Sequence, residues 1–142
     1  MIRLTRRYRF SASHRLHSPA LSDFANAEAY GKCNNPHGHG HGYTLEVSVG
    51  GRIDESTGHV VDVKALDRLV ELEVLSKLRH RDLNTEVDEL AGAVPTTETL
   101  AAGIGRMLSG AWGQAFPGGT PRLDRIRIHE TRRNVFEVSK PT

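Results

Sequence analysis

The chemistry in this 142-residue sequence concentrates in Cys33-Asn34-Asn35-Pro36-His37-Gly38-His39-Gly40-His41, where the only cysteine precedes three alternating histidines. Side chains two apart on an extended strand share a face, so His39 and His41 can hold one metal ion between them. His14 is the third ligand that strand parity supplies, and three neutral imidazoles leave a fourth position open for water or substrate, as a catalytic site requires. His37 has the same parity and can replace one of them, although it follows Pro36 and begins the turn. Three imidazoles suit Zn2+, and other divalent ions accept the same donors. Near such an ion the Cys33 thiolate is favoured and can act as base or nucleophile; the alternatives are a fourth ligand that closes the site, or a small buried apolar residue. Glu130 shares parity with Ile126 and Ile128, which turns it toward the apolar side of its strand. There it needs a strong partner such as a guanidine-like donor pair, unless it ends the strand in water beside an arginine. His80, in Leu78-Arg79-His80-Arg81-Asp82, has no periodic role.

These groups need strands to aim them. From Ile2 to His14 the even positions read Ile, Leu, Arg, Tyr, Phe, Ala, His, which places His14 at the end of a face carrying Tyr8 and Phe10. The odd positions from His37 to Val49 read His, His, His, Tyr, Leu, Val, Val, a second strand that delivers imidazoles at its start. Between them, Pro19 to Pro36 is polar and aperiodic and reads as a long loop that carries Cys33. Asp62 caps a helix expected over Val63 to Leu78, and Thr96 or Thr97 caps a second that runs to about Trp112 and ends before Pro117-Gly118-Gly119. Two strands, about Arg122 to Glu130 and Asn134 to Val138, form a closing hairpin. The order ββααββ implies an α+β domain over residues 1–142, with an antiparallel sheet, because parallel pairing would need alternating strands and helices.

Composition narrows the function classes. Nineteen Lys plus Arg against seventeen Asp plus Glu leave a formal charge of +2, too small for nucleic-acid binding by bulk electrostatics. The arginines crowded near both ends (Arg3, Arg6, Arg7, Arg9; Arg122, Arg125, Arg127, Arg132, Arg133) form either a solvated face or a means of attracting an anionic substrate. A single cysteine permits no internal disulfide, the start of the chain lacks the apolar run of a signal peptide, and no stretch is apolar enough to span a membrane, so a cytoplasmic location is expected.

Four ordered motifs, Phe10-Ser11-Ala12-Ser13-His14, Cys33 through Tyr43, Pro95-Thr96-Thr97-Glu98 and His129-Glu130-Thr131, together resemble the 6-pyruvoyl-tetrahydropterin synthase family over about residues 8–138. The resemblance implies a tunnelling fold: a four-stranded antiparallel sheet with two helices on one face, closed into an oligomeric barrel of trimers that pair as hexamers, with active sites between subunits. It implies zinc on His14, His39 and His41, Cys33 as proton-abstracting base, His80 in a relay, Glu130 as anchor of the pterin ring, and Thr96, Thr97 and Glu98 as further pocket residues. The implied reaction converts 7,8-dihydroneopterin triphosphate to 6-pyruvoyl-tetrahydropterin with loss of triphosphate. A 6-carboxy-tetrahydropterin synthase of the 7-deazaguanine pathway is the sister alternative, and a non-catalytic pterin- or metal-binding paralogue the alternative of another class. The spacing of six from Cys33 to His39 resembles the pyruvoyl enzymes, whereas His37 sits at the spacing of four seen in the carboxy enzymes. The sequence departs from the family at Arg79, where an Asp usually precedes the relay histidine, and at Gly42, where Asn is common. His37 adds a further imidazole. A permanent cation at Arg79 cannot orient an imidazole as a carboxylate does, which leaves Asp82 as the nearby candidate.

Overall fold

The structure, a computed structural model, describes residues 1–141. Strands β1 (Ile2–His14), β2 (His39–Gly51), β3 (Arg122–His129) and β4 (Val135–Ser139) form one sheet in that order, every neighbouring pair antiparallel. The register brings His14 opposite His39, Ala12 opposite His41 and Phe10 opposite Tyr43. Alternation along β2 sends Tyr43, Leu45, Val47 and Val49 into the core, where they meet Ile126 and Ile128 of β3.

The core is roofed by two long helical segments. The first begins with α2 (Val63–Val70), whose N-cap Asp62 accepts from the Lys64 and Ala65 amides. It continues through a π-helical turn (Glu71–Leu75) into a last turn (Ser76–Leu78). Leu66, Val70, Val74 and Leu78 recur every four residues, wider than the period of about 3.6 of an α-helix. The under-wound π turn absorbs the drift, and all four stay fully buried. The second, α3 (Thr97–Ala115), is capped by Thr96, whose hydroxyl accepts from the Thr99 amide, and it buries Leu100, Ile104, Met107 and Leu108.

The expected order ββααββ needs correction. A short helix, α1 (Asp23–Tyr30), stands between β1 and β2 in the stretch read as a loop. It gives no apolar periodicity because its one buried residue is polar: Asn26 binds the Ser18 amide and the Ser18, Leu21 and Ser22 carbonyls. Local capping makes it a helix instead, with the Ser22 hydroxyl accepting from the Ala25 amide at its start and Gly31 at φ 54° at its end.

The sheet's other face is polar. A row of Arg7, Glu46, Arg127 and Glu137 crosses all four strands. Glu46 is 3 % exposed, with Arg7 Nε at 2.8 Å, His129 Nε2 at 3.2 Å and Arg127 Nη1 at 3.5 Å. Burial pushes its carboxyl up, but the contact with His129 and the bond from Arg7 outweigh that and hold it below the usual range. Part of the arginine crowding is therefore spent on carboxylates within the sheet. Among the described residues no helix is long and apolar enough to cross a membrane.

Candidate metal and active site

The register carries the ends of β1 and β2 to one place. His14, His39 and His41 each present a ring nitrogen within 4.8 Å of the others, with ring centroids 4.4–5.2 Å apart. Gly38 permits the tight entry to β2: it adopts φ 68°, and a Cβ there would lie 3.0 Å from the His14 carbonyl oxygen. His37 is exposed in this turn and takes no part in the cluster, which removes it as a ligand alternative.

His14 is 1 % exposed, and its Nδ1 donates to the Pro95 carbonyl at 2.8 Å, so the lone pair is left on Nε2. That Nε2, with Nε2 of His41, is buried without a hydrogen-bond partner. Burial lowers the His14 imidazole below its ordinary range, against the bond to Pro95, and burial with the neighbouring His14 and His39 rings lowers His41. Buried ring nitrogens left without a hydrogen-bond partner cost free energy, and a divalent cation held by neutral imidazoles would satisfy them. The residues present therefore fit a resident metal ion. Sequence reasoning had no means of finding Pro95, because the group that orients His14 is a backbone carbonyl.

Two further groups join the cluster. Cys33 follows α1 in a 3₁₀ turn (Gly31–Asn34), with Sγ 3.6 Å from His39 Nε2. Its carbonyl accepts from the Leu16 amide at 2.8 Å, and Asn34 donates to the Leu16 carbonyl at 2.7 Å, tying this turn to the end of β1. Burial, then the Glu130 carboxylate, push the thiol up. Glu130 lies just past β3, and its Oε1 is 3.6 Å from His41 Nε2.

Other expected residues lie elsewhere. Pro95 touches His14, but Thr96 uses its hydroxyl as the α3 cap, Thr97 is buried, and Glu98 is exposed in the first turn. His80 stands against the outer edge of β1, at φ 59°, its amide donating to the Ser11 carbonyl at 2.7 Å and its Nδ1 3.1 Å from Ser11 Oγ. Ser11 points away from the face that carries His14, and the His80 ring is held by Ser11 and not by Cys33. Asp82 does not replace the missing acid: its carboxylate accepts from the Asn84 amide and Thr85 hydroxyl. Arg79 is held by Glu71 through two bonds of 2.8 Å. A cavity of about 780 Å³ around Arg52 and Pro121 contains none of these groups, and geometry at the histidines is the better guide to the chemistry.

A family profile described as 6-pyruvoyl tetrahydropterin synthase matches residues 3–141. The chain is 43 % identical over 140 residues to the 6-pyruvoyl tetrahydrobiopterin synthase of Drosophila melanogaster, covering 97 % of this chain and 79 % of that one. It is 40 % identical over 132 residues to the enzyme of that name from Homo sapiens, covering 93 % and 87 %. The solved structure of Caenorhabditis elegans 6-pyruvoyl tetrahydropterin synthase superposes with a TM-score of 0.86 at 36 % identity, covering 97 % of this chain and 94 % of that one. With a profile match over almost the whole length, this chain belongs to the 6-pyruvoyl tetrahydropterin synthase family.

Proposed function

We propose that the chain is a metal-dependent 6-pyruvoyl-tetrahydropterin synthase that eliminates triphosphate from 7,8-dihydroneopterin triphosphate. The observation that carries the reading is the gathering of three imidazoles, two with a buried ring nitrogen that has no hydrogen-bond partner, beside the Cys33 thiol in a chain of this family. His14, His39 and His41 would hold Zn2+, which when bound polarises side-chain oxygens of the substrate and acidifies the adjacent C–H bonds.

The remaining work belongs to the chain's own groups. Pro95 fixes the His14 tautomer. Cys33, as thiolate, removes a carbon-bound proton; its acidity is suppressed by burial and Glu130, so a cation at the histidines is what favours the thiolate. The Glu130 carboxylate accepts N–H bonds from the pterin's amidine edge.

A second copy of the chain completes this site. His80 can serve the proton relay only from a neighbouring copy, since its own chain holds it against Ser11. Unpaired strand edges support such assembly: among the described residues β1 is covered on its outer side only where the segment after Leu78 bonds Ser11 and Ser13, and β4 pairs only with β3. Edge pairing of β1 with β4 of the next copy would close a barrel of trimers, which pair as hexamers.

The test is incubation of zinc-loaded protein with 7,8-dihydroneopterin triphosphate, following triphosphate and product mass against Cys33→Ala. Cys33-dependent release with the mass of 6-pyruvoyl-tetrahydropterin is expected. A 6-carboxy product with acetaldehyde would move the chain to the sister reaction, and bound pterin without release would make it a binding paralogue.

A further inference from the structure

Tyr43 is the one tyrosine on the face of β2 that carries His39 and His41, and it is 2 % exposed. Its ring stacks on Phe10 across the β1–β2 pair, centroids 5.2 Å apart at 20°, and its centroid is 5.8 Å from that of His41. The β2–β3 pairing ends with Thr44 opposite His129, so the next step along both strands brings Tyr43 to the level of Glu130. Fixed among these groups, the phenolic oxygen is buried and has no hydrogen-bond partner. The strand parity that makes the metal cluster also drives this hydroxyl into the space beside it, while the stacked ring leaves it little freedom to turn away.

Folded proteins seldom bury a phenol unpaired, and an unpaired donor beside a binding site marks a place where a ligand atom completes the bond. From this the geometry points to Tyr43 as a substrate-contacting residue. Its neutral O–H donates to an acceptor oxygen or nitrogen of the reduced pterin, between the end held by Glu130 and the end at the three histidines. This role rests on the pterin reading of the site. Within that reading it gives the pocket a hydrogen-bond donor that complements the acceptor carboxylate of Glu130.

The test is Tyr43→Phe, which removes the hydroxyl and keeps the stacked ring, measured by thermal unfolding and by calorimetric binding of 7,8-dihydroneopterin to the zinc-loaded protein. The expected result is an unliganded midpoint equal to or above that of the wild type, with pterin binding weakened about tenfold, the loss of one good hydrogen bond. A lower unliganded midpoint would show that the phenol is paired inside the protein, and undiminished binding would show that it does not meet the ligand; either result overturns the assignment. Wild-type protein that binds zinc but no pterin would overturn the functional reading itself, and the Tyr43 assignment with it.

Discussion

Asn26→Ala should loosen the segment that carries Cys33 without weakening the domain. Asn26 is fully buried and is the one buried side chain of α1. Its Oδ1 accepts from the Ser18 amide at 2.7 Å, and its Nδ2 approaches the Ser18, Leu21 and Ser22 carbonyls at 3.0, 3.2 and 3.0 Å. The amide has two hydrogens for three acceptors, so about three full bonds are at stake. At roughly 1 kcal/mol net for each, less what water regains in a surface segment, the segment loses about 2–3 kcal/mol against local opening. That raises the open population about 30- to 150-fold. The reporter is hydrogen exchange at the Leu16 amide, which donates to the Cys33 carbonyl. Its exchange should accelerate by that factor, while amides of Leu45 and Ile128 in the central strands stay within about twofold. Unchanged Leu16 exchange, or equal acceleration in the core, would refute the idea that the Asn26 side chain holds this segment closed.

Three further outcomes follow. His14→Ala should weaken zinc binding by more than about 100-fold in chelator competition, because even changes in the groups behind metal ligands cost 10–100-fold; retention of wild-type affinity would exclude His14 as a ligand. Arg6, with Tyr8, holds the Asp67 carboxyl below its usual range, so its contribution is complete above about pH 4 and lost as pH falls through the lower folded value. The urea midpoint difference between wild type and Asp67→Asn should therefore be flat from about pH 5 to 7 and shrink below pH 4. Arg79→Asp should leave kcat within about twofold, since Arg79 is drawn onto Glu71 and the His80 ring is held by Ser11; a large gain would show that the missing acid limits the relay.

Much of this arrangement is legible in the sequence because strand parity is a strict code. Alternation put His14, His37, His39, His41 and Glu130 on inward faces, and the structure brings all of these together except His37, which lies in the turn before β2. Helix caps were nearly as direct: Asp62 caps as expected, and of the two candidates Thr96 and Thr97 it is Thr96 that caps the second helix. What escaped lacks a periodic signature. α1 turns on a buried Asn instead of an apolar stripe, although Ser22 three residues before Ala25 and Gly31 after Tyr30 were available as end signals. The His14 partner is a main-chain carbonyl, and the place of His80 on the β1 edge depends on a pairing between segments 69 residues apart.

The central claim is an open metal centre of three histidines with Cys33 free beside it, and zinc K-edge absorption of the loaded protein tests it most directly. The expected spectrum has three nitrogens and one further light atom at about 2.0–2.1 Å, with no sulfur shell, and is unchanged by Cys33→Ala. A sulfur at about 2.3 Å that disappears in that variant would make Cys33 the fourth ligand, close the site and contradict the proposed role of the thiol as base.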